Sequence, residues 1–222
     1  MDYNKAKQIL LMHGSGTYDV AGKPLLFEDG FLGSLRPYRG LLEKNFHLVM
    51  EALFVVGETI HASAQVDRDL VQSLWTMCTR AYSWGVHPEG MLQRNKLITR
   101  TDAQRLERWI GIIEETVLGL LRGCPPHYAI DSYAERILDE GWWDNIVFFI
   151  PLMERAISDE TRIDQSVVAA ALGKLGSKAR TALPALYQAA VRRYTWYTPE
   201  DRCTEETRAI IKQAIDSIEA AL

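Results

Sequence analysis

Cysteine is scarce in this chain. There are three, Cys78, Cys124 and Cys203, far apart and odd in number. That pattern excludes a disulfide framework and a CxxC zinc site, and reads as free, buried thiols in a reducing compartment. Long apolar runs are missing as well. The run near the N-terminus stops after Ile9-Leu10-Leu11-Met12, too short for a secretory leader. The longest one, Ile146 to Met153, contains Pro151 and falls far short of a membrane span. A basic excess is absent too. The formal net charge is −4, whereas a protein built to grip phosphates carries a basic surplus or stripe. The expectation is a cytoplasmic protein without membrane contact.

What is present is ordinary globular material. Over 222 residues, 47% are apolar and 24% charged, enough for a substantial core and too apolar for disorder. Residues 13–33 hold five glycines and Pro24 beside His13, which marks loops and turns, with room for a short strand near Leu25-Leu26-Phe27. Pro37 suits the first turn of a helix running to about His61, with Leu42, Phe46, Val49, Leu53 and Val56 on one face. Asp67 or Asp69 caps a second helix whose core face is Leu70, Leu74, Met77, Cys78 and Ala81, with Trp84 as a further candidate. Thr101 caps a third, with Leu106, Trp109, Ile110, Ile113, Val117, Leu120 and Leu121 on one side. Asp131 to Glu140 is a shorter helix. Further helices are expected over about 144–157, 162–175, 178–194 and 204–221. The fold class is therefore all-α, a single helical domain with a loop-rich N-terminal segment: 1–36 short helix and loop, 37–141 bundle, 142–222 hairpins.

The last third repeats. Ile150-Pro151-Leu152-Met153 through Ile157 matches Leu183-Pro184-Ala185-Leu186 through Ala190 at a shift of thirty-three residues. Val168, Ala171, Leu172 and Leu175 match Ile211, Ala214, Ile215 and Ile218 at forty-three. The difference is an insertion around Tyr194 to Cys203. A helical pair repeated at such a period cannot bury its apolar face alone, and stacking supplies the missing cover. The run Ala171-Leu172-Gly173-Lys174-Leu175-Gly176, followed by Ala182-Leu183-Pro184-Ala185-Leu186, resembles the junction between consecutive HEAT repeats. The resemblance covers about residues 144–222. It implies an α-α superhelix of stacked hairpins with a concave binding face, and a proline that kinks its helix. It implies no reaction.

Three groups of residues are candidates for function. Glu43, His47 and Glu51 stand four apart on one helix face, with Arg36 and Arg39 before them and Glu58 and His61 after. A carboxylate–imidazole–carboxylate stripe can bind a metal or move a proton, but no second ExxH or HxxxH segment accompanies it. The alternative is a solvated face with ordinary ion pairs. His13-Gly14-Ser15-Gly16-Thr17 is a glycine turn that matches no phosphate-binding or nucleophile pattern. The third group is aromatic and basic: Trp142, Trp143, Arg192, Arg193, Tyr194, Trp196 and Tyr197. Such residues serve binding hot spots, or plug the end of a helical stack.

No catalytic residue, cofactor or metal ligand is assigned. The function expected is a binding module for a protein partner, acting as monomer or homodimer. One alternative is nucleic-acid processing, since a family of alkylpurine DNA glycosylases is built of similar HEAT-like repeats in chains of this length. Another is a small-molecule enzyme using the Glu43/His47/Glu51 face.

Overall fold

The computed structural model describes residues 1–14, 17–18, 24–25, 29–63, 65–140, 149–159, 165–192 and 202–222. They are helical apart from turns and one two-residue ribbon, β1 (Thr17–Tyr18) against β2 (Pro24–Leu25), antiparallel with Thr17 opposite Leu25. The class is all-α. Residue contacts group the chain into two units, Met1–Pro126 and His127–Leu222.

The first unit is built on α1 (Tyr3–Gly14), α2 (Glu43–His61), α3 (Arg68–Ala81), the short α4 (Met91–Arg94) and α5 (Arg100–Leu121). α1 packs on α2 and α3, and both of these pack on α5. The expected core faces are buried, apart from Leu42, which precedes α2 and is half-buried: Phe46, Val49, Leu53 and Val56 on α2, and Leu70, Leu74, Met77, Cys78 and Ala81 on α3. Phe46 stacks on Trp109 of α5, with ring centroids 5.1 Å apart and planes 6° from parallel. Asp67 caps α3, its carboxylate accepting the N–H groups of Asp69 (3.0 Å) and Leu70 (3.1 Å).

Three details depart from the sequence expectation. α2 starts at Glu43, not at Pro37. The Arg36–Pro37 peptide is cis, Leu35 bridges to Tyr38, and Gly40 has φ +93°, so the chain turns twice before a helix can begin. α5 is capped by Thr99, not Thr101. The Thr99 hydroxyl accepts the Asp102 N–H at 3.1 Å and donates to the Asp102 carboxylate at 2.9 Å, a reciprocal arrangement that Thr101, inside the first turn, cannot make. Val117 is only half-buried and Leu121 is exposed, so the core stripe of α5 is narrower than its apolar content suggests. After Ala81 the chain widens into a π-helical turn, Tyr82–Val86, closed by the His87 N–H on the Tyr82 carbonyl.

The second unit holds α6 (Ile130–Glu140), α7 (Ile150–Ser158), α8 (Ser166–Leu175), α9 (Leu183–Val191) and α10 (Arg202–Ala220). The stretch expected as one helix from 178 is divided: Gly176–Ala182 is a 3₁₀ segment with Ala179 outside helical angles, and α9 begins only at Leu183. Pro151 and Pro184 both sit in the first turn of their helices, where a missing N–H costs nothing, so neither kinks a helix interior. α7 packs on α8 and α9, and α10 on α8 and α9. The matched positions share their environment. Val168, Ala171, Leu172 and Leu175 are buried, and so are Ile211, Ala214, Ile215 and Ile218.

Glycine sets the α8–α10 distance. A Cβ on Gly173 would stand 2.8 Å from the Ala214 Cα. Gly176 ends α8 at φ +55°, where a side chain would be strained. Gly111, inside α5, has nothing within 4 Å of where its Cβ would be. Gly173→Ala should therefore destabilise the protein by about 1–3 kcal/mol through overpacking. Gly111→Ala should stabilise it by about 0.5–1 kcal/mol through helix propensity. Urea unfolding of both variants checks the pair, and equal shifts of one sign would contradict the packing described.

Candidate functional site: an exposed apolar face on the first unit

The centre of the α2 stripe does not face solvent. His47 is 3% exposed and lies beside Phe46, ring centroids 5.6 Å apart. Its Nε2 stands 3.5 Å from a Glu43 carboxylate oxygen. Burial nevertheless outweighs that carboxylate and lowers the imidazole to about 4, so His47 is neutral at pH 7 and the contact is not an ion pair. Glu51 is half-buried, and burial raises its carboxyl above the usual range. Glu58 and His61 point elsewhere: both are exposed, and the His61 Nδ1–H donates to the Gly123 carbonyl at 2.8 Å. Arg36 lies over the Trp84 ring, 5.6 Å from its centre, and Arg39 pairs with Asp29 at 3.3 Å. The structure therefore does not gather Arg36, Arg39, His47 and Glu51 into one site. Among the described residues no group of three His, Cys, Asp or Glu side chains is placed to hold a metal ion.

His13, at the end of α1, is the other buried imidazole. It is 3% exposed, and burial lowers it to about 4. Its Nδ1 accepts the Phe31 N–H at 3.2 Å, which puts the ring proton on Nε2, and its main-chain carbonyl accepts the Leu32 N–H at 3.2 Å. His13 thus fastens the 29–35 turn to α1. This use of the residue is structural.

The feature that stands out lies on α3 and α5. Trp75 is 72% exposed, with Val71 one turn before it and Tyr82 two turns after it, both also exposed. On α5, which packs on α3, Leu118 and Leu121 are exposed. Val71 and Leu121 line one shallow apolar cleft with Val66, Leu74 and Val117. The sequence carries the signal as a second apolar stripe. Val71, Trp75 and Tyr82 fall four and seven apart, offset from the core stripe Leu70, Leu74, Met77 and Ala81. One apolar stripe is what a packed helix needs, so the second is surplus to folding.

Comparison with protein-family models, with curated proteins and with solved structures finds no match for this chain. What the face can do is therefore read from its own chemistry.

In the second unit, Arg192 is half-buried and caps α7. Its guanidinium donates to the carbonyls of Ile157 and Ser158, both at 3.2 Å, where a cation also meets the negative end of the helix dipole. The Gln165 amide donates to Ile157 at 2.9 Å and Asp159 at 3.1 Å, and His127 pairs with the Asp159 carboxylate at 2.8 Å. Trp142, Trp143, Arg193, Tyr194, Trp196 and Tyr197 lie outside the described residues. A groove of about 240 Å³ runs between α8 and α10, with Lys174, Gln213 and Ser217 on its walls, and the Lys174 ammonium donates to the Leu138 carbonyl. Among the described residues no helix is long and apolar enough to cross a membrane.

The two buried imidazoles give a pH dependence with a definite sign. Each has a folded-state value near 4, against about 6.5 when exposed in the unfolded chain. The unfolded state takes the proton first as pH falls. Stability is therefore full above about pH 6.5 and declines toward pH 4, by on the order of 3 kcal/mol per histidine at most. Glu51 works in the opposite sense, but only in the carboxylate range. Urea midpoints should fall steadily between pH 7 and pH 4.5, and His13→Gln should flatten part of that slope. A midpoint independent of pH would refute the burial of both rings.

Proposed function

We propose that this chain is a protein-interaction module, with a HEAT-like second unit and a docking face on α3 and α5 of the first. The observation that carries the docking face is Trp75, 72% exposed, with Val71, Leu118 and Leu121 also exposed on the same pair of helices. Tryptophan offers a large contact area, about 150–250 Å² when buried, at the cost of two torsions. It is among the residues most enriched at interface hot spots. A contiguous apolar patch on a water-exposed surface is a feature of interaction sites.

The HEAT-like reading is supported by the order of packing in the second unit. First helix lies on first helix (α7 on α9) and second on second (α8 on α10), with matched residues buried at matched positions. A cytoplasmic setting is supported by free thiols at Cys78 and Cys124. Burial pushes Cys78 up to about 12, which makes it an inert core residue and not a nucleophile.

A photo-crosslinking amino acid placed at Trp75 tests the reading in cells that make the protein. Irradiation should yield discrete protein adducts. The same group at Glu206, exposed on α10, serves as the control. Adduct patterns that do not differ between the two positions would sink the proposed docking face.

A further inference from the structure

The α3–α5 face has an internal symmetry that selects its occupant. The two helices run antiparallel. Leu70, Val71 and Leu74 share a cleft with Val117, Leu120 and Leu121, and farther along Glu114 lies near enough to Cys78 for its charge to act on the thiol. Trp75 therefore lies opposite the turn of α5 that carries Val117 and Leu118. On α3, Arg68 and Tyr82 are each seven residues from Trp75, two helical turns in either direction and on the same face. On α5, Glu114 and Arg122 are each four residues from Leu118. On the outer flank of α3, Asp69 and Arg80 lie at nearly equal distances on either side of Trp75. All of these side chains are exposed.

We infer that the α3–α5 face docks on the same face of a second copy of this chain, about a two-fold axis that crosses both helices between Trp75 and Leu118. That operation lays α3 antiparallel on α3 and α5 antiparallel on α5. It sets Trp75 against Trp75, and Leu118 against Leu118. Arg68 comes over the ring of Tyr82 in the second copy, and Glu114 meets Arg122, as each two-fold contact occurs twice. Asp69 meets Arg80 at the rim. The parallel register would instead bring Arg68 toward Arg122. Four helices then enclose one apolar layer, the ordinary way for a pair of amphipathic helices to close.

The inference rests on the proposed docking face, and its test separates the two. Sedimentation equilibrium of the purified full chain, from micromolar to several hundred micromolar, should show a concentration-dependent rise from the 25.2 kDa monomer to twice that mass. Trp75→Glu should weaken association by at least ~10-fold while leaving the circular dichroism melt unchanged, since the residue is exposed. Glu114→Arg alone and Arg122→Glu alone should each weaken the dimer, and the double variant should restore it, because the pair is exchanged across the axis. A monomer at every concentration overturns the inference. So does a dimer indifferent to Trp75→Glu, or a double variant no better than the singles. A monomeric chain that still gives protein adducts from position 75 overturns self-docking and leaves the docking face standing. A monomer without adducts removes both.

Discussion

The stack of Phe46 on Trp109 is the contact on which the first unit depends. It joins α2 to α5, far apart in sequence, through two rings that are both fully withdrawn from water. A nearly parallel stack fixes rotation as well as distance, and contributes about 1 kcal/mol beyond the area it buries. With α2 and α5 locked, α1 and α3 have defined grooves to fill. Phe31, tilted against the same Trp109 ring with centroids 6.4 Å apart, brings in the turn that His13 holds. His47 loses its water because it follows Phe46 in the helix and is carried into that interior. The candidate metal stripe and the aromatic core therefore compete for one surface of α2, and the core prevails.

Core faces were readable because they rest on one periodicity. Leu70, Leu74, Met77 and Cys78 recur at helical spacing and are buried together. Asp67 could be read as a cap because its carboxylate needs only the next three residues to act. Pro37 and Thr101 were misleading for a related reason. Both are acceptable helix starts in isolation, and the choice against them was made by neighbours: Gly40 with its positive φ, and Thr99, whose partner Asp102 stands at the right distance. Local propensity ranks the possible starts, and tertiary and reciprocal contacts choose among them.

Arg192 illustrates what a linear reading lacks. Beside Arg193 and three aromatic residues it suggested a binding cluster. Its guanidinium instead closes the end of α7, thirty-odd residues earlier, where three consecutive carbonyls at 157–159 have no partners within the helix. Nothing in the sequence around 192 points there. The repeat does so indirectly: α9 lies on α7, so the last residue after α9 falls at the end of α7. An arginine at that place serves the packing of two stacked helices before it serves any partner.

Trp75 lies outside the core face expected of α3, and helix geometry shows why. Leu70, Leu74, Met77 and Ala81 already define the direction in which α3 meets α1 and α5, and Trp75 stands well away from it around the helix axis. At that angle the indole stays largely in solvent. Leu118 is in the same position on α5, one turn before Arg122 ends the helix. Two adjacent helices that each expose apolar side chains outside the core stripe form a surface that folding of the unit does not use. A stripe confined to one helix would be no more than scattered exposure, which every soluble protein shows. Its repetition on the neighbouring helix is what supports the proposed docking face.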